Sequence, residues 1–474
     1  MQPRSAEFVS RRHFLSRSGL GLGGLVASLL LQKRCLGAGQ PKFGLTARQP
    51  ALPERVKSVV LMMQNGGPSQ MDMFDPKPTL QKLSGKTHDV KVETFQPGSE
   101  KNQLLGSPFR FRRRGRCGME LSDVIPNIGR VADELCLVRS MYTEHNNHTE
   151  GLLMFMTGRV FQGRPSFGSW ISYGLGTCNE NLPAYVVLRD SEGYNTSGTL
   201  TWSSGWLPAL YGGTEFSSQG EPVLNLHPGQ QVTPAVQAQK LALIRQLNRR
   251  HQKRYPENTE LESRIQNYEL AARMQLAAAD VLDIGNETKE TRSLYGLDEA
   301  KTKRYGLRCL LARKLVESGV RFVQIHPKPT QPWDTHSNTQ TALPAICQAT
   351  DLPTAGLITD LKRRGLLDQT LVIWSGEFGR LPVSQNGTGR DHNRNAFSLF
   401  MAGGGVRPGF VYGETDEIGY ASTTNRVSVP DLHATILHQL GIDHETLTYA
   451  HQGRDETLTD PTLTGASVVE DILQ

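Results

Sequence analysis

The sequence has no Cys-x-x-Cys pair and only six cysteines among 474 residues. Because these cysteines are widely scattered, neither a disulfide framework nor a cysteine-ligated zinc site is expected, and buried single thiols are the default interpretation. The sequence also lacks a glycine-rich dinucleotide loop. That absence, together with the missing cysteine cluster, argues against an exported oxidoreductase.

A strong charge of one sign is missing as well. The formal net charge is +6, and part of it lies in the N-terminal segment and in one helical segment. A nucleic-acid partner is therefore not expected. Apolar residues make up 37% and charged residues 21% of the chain, and no long low-complexity tract interrupts it, which is typical of an ordinary globular protein.

The N-terminus carries the pattern of a twin-arginine export signal. Arg11 and Arg12 precede an apolar Gly/Leu run over residues 19–31, and small residues follow at 37–39. The run is shorter than the roughly 20 residues of a transmembrane helix, although anchoring by an uncleaved leader stays open. We predict a signal over residues 1–40, the twin-arginine translocase as a partner, and a periplasmic or extracytoplasmic location. Since this route carries folded proteins, often with a metal in place, it favours a metalloprotein.

Short aliphatic runs alternate with helical patterns through the rest of the chain. This alternation predicts a doubly wound α/β fold with a mostly parallel sheet. A helix is also predicted at 121–130, with Pro126 either interrupting it or marking its start, and a helical insertion is predicted at about 233–300. The predicted organisation is one α/β domain over residues 50–455, followed by a C-terminal tail over 456–474. The predicted core strands cover residues 56–63, 134–141, 183–189, 320–326, 371–375 and 397–402.

Acidic and histidine residues follow the predicted strands. Because the carboxyl ends of parallel strands meet at one edge of a sheet, these side chains are expected to gather there. Mixed imidazole and carboxylate ligands suit zinc, iron or manganese. Taken singly, each residue has a structural alternative as a turn residue, a helix cap or a solvated imidazole. The candidate ligands are Asp72, His145, His148, Asp334, His336, Glu377, Asp391 and His392.

Several segments resemble sulfatases. Residues 361–375 are similar to the helix and strand that lead to the sulfatase metal ligands, residues 148–159 to the nucleophile segment, and residues 427–442 to a late helix. The combination of the leader with the motifs at 66–69, 333–336, 376–380 and 389–392 resembles an exported, sulfatase-like family within the alkaline phosphatase and sulfatase superfamily. This resemblance implies an alkaline phosphatase-like three-layer α/β/α sandwich with a metal site at the carboxyl edge of its sheet.

The departures from the sulfatase pattern affect the expected mechanism. His148 stands where sulfatases place the cysteine or serine that becomes formylglycine, and no Cys-x-Pro-x-Arg follows it. Gln64 and Asn65 stand where the superfamily has first-strand aspartates. We therefore expect a water activated directly by metal, with Thr149 as a possible protein nucleophile.

The expected activity is hydrolysis of sulfate or phosphate esters with one or two divalent ions, which are zinc, manganese, iron or calcium. The substrate would be an anionic small molecule or a glycan ester. Arg159, Arg380 or Arg390 could orient its anionic group, with a structural salt bridge as the alternative for each. The rival hypothesis is a non-catalytic sulfatase-like protein that binds an anionic glycan or a surface partner.

Overall fold

The computed structural model describes residues 44–89, 91–217, 233–255 and 259–474. The predicted export signal lies outside these residues. Residues Leu45–Gln474 form one compact unit. Within the described residues, no helix combines the length and the apolar character needed to span a membrane.

Seventeen strands are defined in the described residues. In chain order they are β1 (Ser58–Met63), β2 (Phe111–Arg114), β3 (Met119–Ser122), β4 (Leu135–Tyr142), β5 (Tyr185–Arg189), β6 (Thr214–Ser217), β7 (Phe322–Ile325), β8 (Thr370–Ser375), β9 (Gly379–Gln385), β10 (Gly389–Asn393), β11 (Phe397–Ala402), β12 (Phe410–Tyr412), β13 (Glu414–Thr415), β14 (Ser422–Thr424), β15 (Val427–Ser428), β16 (Tyr449–His451) and β17 (Arg454–Glu456).

The helices are distributed between and after these strands. In chain order they are α1 (Gln70–Met73), α2 (Pro78–Lys82), α3 (His148–Thr157), α4 (Phe167–Leu175), α5 (Pro234–Arg254), α6 (Thr259–Leu282), α7 (Lys289–Leu294), α8 (Ala300–Glu317), α9 (Thr339–Arg363), α10 (Val429–Gln439) and α11 (Pro461–Thr464).

The central sheet has the strand order β12-β4-β11-β8-β1-β7-β5-β6, with β15 beside β4. All of these strands are parallel to one another except β11, which runs antiparallel to both of its neighbours. The prediction of a mostly parallel central sheet is therefore confirmed. Its consequence for function is that β1, β4, β7 and β8 all end at the same edge.

The two faces of the sheet bury different residues of each strand. On β1, Val60 and Met62 belong to a core cluster that includes residues of α8 and α9, whereas Val59 and Leu61 are buried outside that cluster. On the opposite face, the ring of Phe167 in α4 packs 4.7 Å from that of Phe322 in β7. Successive side chains of each strand point to opposite faces of the sheet, and helices pack against both faces. The predicted three-layer α/β/α sandwich is therefore confirmed.

Some local predictions differ from the structure. The helix predicted over 121–130 is wrong: the chain there ends β3, turns, and enters a 3-10 helix at Ile128–Glu134. Pro126 and Asn127 precede that short helix, and the carboxylate of Asp351 accepts hydrogen bonds from the Asn127 and Ile128 amides. The insertion predicted at 233–300 contains α5, α6 and α7. In the predicted tail, Leu473 bridges to Val406 and Ile472 is buried, so this segment packs on the domain.

Candidate metal centre

The candidate site lies at the carboxyl edge of the parallel strands. The loop after β1 supplies Gly66 and Gly67, and α3 begins at His148 after β4. The loop after β7 carries Asp334 and His336, and Glu377 follows β8. The β9–β10 hairpin, which the sequence did not indicate, brings Asp391 and His392 back to the same place. Open α/β sheets bind ligands at this edge.

The carboxylate of Asp334 lies at the centre of three imidazoles. Its Oδ1 is 2.8 Å from His336 Nε2 and 3.1 Å from His392 Nε2. Its Oδ2 is 3.3 Å from His148 Nε2. Arg380 also donates to Oδ1 at 2.6 Å. The same nitrogen of each histidine therefore faces one carboxylate, on side chains that come from three separate segments of the chain.

The other ring nitrogen of His148 and of His392 is held by an oxygen acceptor. His148 Nδ1 is 2.6 Å from Glu377 Oε1, and His392 Nδ1 is 2.6 Å from the backbone oxygen of Asn146. A neutral imidazole carries one proton, and these acceptors assign it to Nδ1. The lone pair of each ring is then on Nε2, directed toward Asp334.

His336 follows the same rule through an amide. Its Nδ1 contacts Oε1 of Gln385, whose Nε2 donates to the backbone oxygen of Pro97 at 2.8 Å. Because the amide nitrogen is already used as a donor, the amide oxygen faces the imidazole and accepts its proton. His336 Nε2 is thus a third lone pair directed toward Asp334.

This arrangement fits a bound cation. A lone pair on nitrogen repels a carboxylate oxygen 3 Å away unless a proton or a metal lies between them, which is the physical basis of a ligand cluster. Within the described part of the chain, the Nε2 atoms of His148 and His336 are buried without a hydrogen-bond partner of acceptable geometry. Ligand atoms of His148, Asp334 and His392 all lie within 4.8 Å of one another. His336 belongs to a second group, with Asp391 and His392, and its Nε2 lies 2.8 Å from Asp334 Oδ1. Imidazole and carboxylate donors together suit a borderline divalent metal such as zinc.

Glu377 supports the cluster from behind. Its side chain is fully buried, and its oxygens accept hydrogen bonds from the Gly66 amide at 2.9 and 3.0 Å and from the Gly67 amide at 3.3 Å. With His148 as its third partner, the carboxylate is placed as the orienting group of a carboxylate–histidine–metal arrangement. The sequence suggested Glu377 as a direct ligand; its carboxylate is not among the grouped ligand atoms of the described residues and contacts the Nδ1 side of His148.

Asp391 is anchored by the backbone. Its Oδ2 accepts the amides of Phe95 at 2.6 Å and Gln96 at 2.8 Å, and its Oδ1 accepts the amide of His392 at 2.8 Å. It also forms a second group of possible ligands with His336 and His392. Its hydrogen bonds fix the backbone that carries His392, and any metal at Asp391 would have to share these oxygens with three amides.

Electrostatics keep the central carboxylate ionised. Burial opposes its charge, but its contacts with His148, His336 and His392 and the charge of Arg380 hold the pKa of Asp334 well below the usual range. Burial lowers the pKa of His392 to about 4, against the opposing effect of Asp334. For His148 burial also acts to lower the pKa, yet Asp334 and Glu377 outweigh it and the pKa is raised. Without a metal, a second proton on Nε2 would therefore be favoured between His148 and Asp334, and a metal bound there would take the place of that proton.

Arg380 is fully used by the protein itself. It is completely buried, and its Nε and Nη1 donate to the backbone oxygens of Gly67 and Arg390 at 2.8 and 3.0 Å. Its Nη2 donates to Asp334 and to the backbone oxygens of Gly66 and Trp333. Each nitrogen of its guanidinium has a protein acceptor, so a substrate contact by Arg380 would have to compete with these acceptors. Arg380 holds the glycine loop against the cluster.

Asp72 and Arg390 form a structural ion pair. Both side chains are fully buried, and Arg390 donates to the two Asp72 oxygens at 2.8 and 3.1 Å. Asp72 Oδ2 also accepts from Ser69 Oγ at 2.6 Å. Asp72 is therefore not placed as a metal ligand, and Arg390 is not available to substrate. Their role is to tie the β10 strand to the loop after β1.

The remaining predicted residues lie outside the donor cluster. His145 accepts the Asn147 amide through Nδ1 at 3.1 Å and is not among the grouped ligand atoms of the described residues. Arg159, at the far end of α3, donates to Asp460 at 2.8 Å in a salt bridge. Thr149 directly follows His148 and is half-buried, and its backbone oxygen accepts from Ser197 at 3.3 Å.

Two glycines allow the loops to approach the site. A Cβ at Gly66, whose φ is +118°, would lie 2.7 Å from the Asp334 amide nitrogen. A Cβ at Gly389 would lie 2.0 Å from the backbone of His336. Both contacts are shorter than side chains tolerate, so glycine is required for these segments to pack.

Sequence analysis missed the residues that complete the site without carrying a metal-ligand side chain. Gln385 holds His336, and the backbone oxygen of Asn146 holds His392. The ring of Phe95 stacks on His392 with centroids 4.9 Å apart. Neither a backbone oxygen nor a phenylalanine in the segment between two predicted core strands gives a signal that points to a metal site.

The fold and this cluster together define an α/β protein with a candidate metal centre at the carboxyl edge of its sheet. The chain belongs to the family described as "Protein of unknown function (DUF1501)", whose model matches residues 56–473. No curated protein matches the sequence.

Solved structures with low similarity include three bacterial enzymes. A sulfatase from Pseudoalteromonas sp. is 14% identical, with a TM-score of 0.34 and coverage of 84% of this chain and 69% of the other. A phosphonate monoester hydrolase from Silicibacter pomeroyi is 13% identical, with a TM-score of 0.31 and 73% coverage of each chain. An alkaline phosphatase from the Antarctic bacterium TAB5 is 10% identical, with a TM-score of 0.29 and coverage of 78% and 97%. Such matches assign no activity to this chain.

Proposed function

We propose that this protein is an exported, metal-dependent hydrolase of sulfate or phosphate esters. The observation that carries the proposal is the convergence of three imidazole Nε2 atoms on Asp334, with each Nδ1 occupied by an oxygen acceptor. His148, Asp334, His336 and His392 would hold the metal. When bound, a divalent metal there supplies a water-derived nucleophile near neutral pH and neutralises charge on the ester oxygens.

The residues of the chain would hold this centre in one orientation. Glu377, Gln385 and the backbone of Asn146 fix the ring nitrogens, and such supporting contacts restrict both the tautomer and the direction of each lone pair. Access is supported by the partial exposure of the Asp334 and His336 side chains, 18% and 21%. His148 and His392 are buried beneath them.

The ester class is proposed from the sulfatase-like motifs of the sequence. Because Arg380 and Arg390 are used by protein acceptors, neither is part of the proposed substrate contacts. A metal-activated water makes a protein nucleophile unnecessary, so Thr149 is not required by this mechanism. Export by the twin-arginine translocase to an extracytoplasmic location remains part of the proposal and rests on the N-terminal sequence.

The test is turnover with metal added back. Chelator-treated protein is loaded separately with zinc, manganese, iron or calcium and assayed with aryl sulfates and with phosphate mono- and diesters. We expect hydrolysis with at least one metal, its loss in Asp334→Asn, and its retention in Thr149→Ala. Loss in Thr149→Ala with metal content unchanged would contradict the water mechanism and support a threonine nucleophile. Full metal occupancy without turnover of any of these esters would favour the non-catalytic, anion-binding alternative.

A further inference from the structure

A cavity opens beside the loop that carries Asp334 and His336. It has a volume of about 190 Å³ and lies at the ends of β5 and β7, where Asp190 and Pro327 contribute to its wall. Its volume is below the roughly 300–1,000 Å³ of sites for drug-sized ligands, so it suits one group of a larger molecule.

The lining of this cavity is strongly cationic. Four cationic side chains, Lys301, Arg304, Arg308 and Lys328, line it together with a single carboxylate, that of Asp190. Arg304 donates to Asp190 at 2.5 Å and Arg308 donates to it at 3.0 Å. One carboxylate thus serves two guanidinium groups, and its charge leaves a positive excess in the cavity.

Arg308 is part of the buried wall of the cavity, where its Nη1 donates to Asp190 at 3.0 Å. Arg308 is 1% exposed, and its Nε has no hydrogen-bond partner within the described residues. The Nε of Arg304 is also buried without such a partner. These two Nε atoms lie beneath the surface of the cavity wall, so an anion in the cavity would be attracted by the net positive charge of the lining and not by the Nε atoms.

The other acidic group near these arginines does not fill the cavity. Glu192 pairs with Arg304 but is 65% exposed and does not line the cavity. Lys301 and Lys328 are exposed at the cavity and keep their charge accessible. Lys301 donates to Gln348, a neutral amide, at 3.0 Å.

The cavity and the metal centre share one loop. Pro327 and Pro332 line the cavity, while Asp334 and His336, farther along the same loop, belong to the cluster. β5, β7 and β1 are adjacent parallel strands, and neighbouring strands lie about 4.8 Å apart, so the ends of β5 and β1 are about 10 Å apart along the edge. This separation fits two anionic groups of one extended molecule.

We propose that the cavity lined by Lys301, Arg304, Arg308 and Lys328 is an anion subsite that binds a second sulfate, phosphate or carboxylate group of the substrate. The assignment of this group to the substrate rests on the proposed function. The natural substrate would accordingly carry at least two anionic groups, as a polyanionic glycan does.

The first test is calorimetric titration of metal-free protein with sodium sulfate, sodium phosphate and sodium acetate at constant ionic strength. We expect saturable binding of at least one oxyanion, weakened about tenfold or more in a Lys301→Gln/Lys328→Gln double variant because two charges at the cavity are removed. Lys303→Gln is the matched control, since Lys303 is exposed on the same helix but does not line the cavity. It should bind as wild type does, and so should His392→Ala.

Other results of this titration would overturn the proposal. These are the absence of saturable binding of all three anions, equal affinity in the wild type and the double variant, or loss of binding in His392→Ala. The last would place the anion at the metal centre. Equal unfolding midpoints of the variants would show that any change in affinity is not caused by unfolding.

A second measurement separates the subsite from the hydrolase. In metal-loaded protein, the lysine double variant should raise KM for an ester with a second anionic group, with little change in kcat, and leave a singly charged aryl ester unaffected. An equal effect on both substrates would contradict the subsite assignment. If no ester is hydrolysed while the calorimetric result holds, the proposed hydrolase fails and the anion cavity stands as a binding site.

Discussion

The Nε2 atom of His392 lies 3.1 Å from Oδ1 of Asp334, and the opposite nitrogen of the same ring is 2.6 Å from the backbone oxygen of Asn146. The proton of the neutral ring therefore lies on Nδ1, where it is donated to Asn146, and the lone pair on Nε2 faces the carboxylate of Asp334. The same relationship recurs at His148 and His336. Its repetition around one carboxylate is what distinguishes a ligand cluster from a set of ordinary buried histidines.

Glu377→Gln should weaken metal binding without abolishing it. Glu377 orients His148 through a 2.6 Å contact but is placed behind the imidazole, and removal of such supporting groups typically costs about 10–100-fold in metal affinity. The dissociation constant can be measured by competition with a chromophoric chelator. Glu144→Gln, at an exposed position, is the control and should leave the affinity unchanged. Complete loss of binding in folded Glu377→Gln would make Glu377 a direct ligand.

Asp72→Asn should destabilise the fold and leave the metal in place. Its carboxylate neutralises the buried Arg390, and breaking a buried ion pair by removing one partner costs about 3–5 kcal/mol. Urea unfolding measures the loss of stability, and elemental analysis of the folded variant shows whether the metal is retained.

A double variant, Asp72→Asn/Arg390→Met, provides the control for this ion pair. Removal of both charges should recover much of the lost free energy of unfolding, since no unpaired charge remains. Loss of metal from Asp72→Asn protein that is still folded would restore Asp72 to the ligand set.

The overall architecture could be predicted from the sequence because its signals are local. The aliphatic run at 397–402 matches β11, and the run at 371–375 matches all but the first residue of β8. The sequence also predicted which residues follow the core strands. Asp334 and His336 follow one strand, and Glu377, Asp391 and His392 follow another. The parallel arrangement then required that the ends of these strands meet.

The division between ligands and supporting residues could not be predicted. Glu377 and Asp391 have the side chains of ligands, yet their positions depend on the amides of Gly66, Gly67, Phe95 and Gln96, which are distant in sequence. Asp72 and Arg380 were chosen by residue type, and only tertiary packing reveals that each is occupied by an ion pair. The 3-10 helix at Ile128–Glu134 likewise depends on Asp351, which is far along the chain.

The stability of the protein should fall on acidification because of buried neutral histidines away from the metal centre. Burial lowers the pKa of His433 to about 4 and that of His326 to about 3, compared with an ordinary 6.5. At a pH between these lowered pKa values and 6.5, the unfolded chain binds more protons than the folded chain. The stabilisation is therefore fully present above about pH 6.5 and is lost as the pH falls toward the folded-state pKa.

His433→Gln should reduce this acid sensitivity. Glutamine is neutral and retains an amide that can donate to Phe155, the partner of His433 Nε2 at 2.8 Å. Between about pH 7.5 and about pH 5, urea unfolding should show a loss of free energy smaller by about 2 kcal/mol in the variant than in the wild type. An exposed-site variant, His438→Gln, is the control and should behave as wild type does. An equal pH dependence in all three proteins would show that His433 is not held neutral by burial.

The most direct test of the metal centre is elemental analysis of protein purified without chelator. The wild type and His145→Ala should contain close to one metal ion per chain, because His145 lies outside the cluster, whereas the Asp334→Asn/His392→Ala double variant should contain almost none. Circular dichroism should show that all three proteins are folded. Absence of metal from the wild type even after incubation with zinc, manganese, iron and calcium, or equal metal content in the double variant, would contradict the assignment of His148, Asp334, His336 and His392 as the ligands.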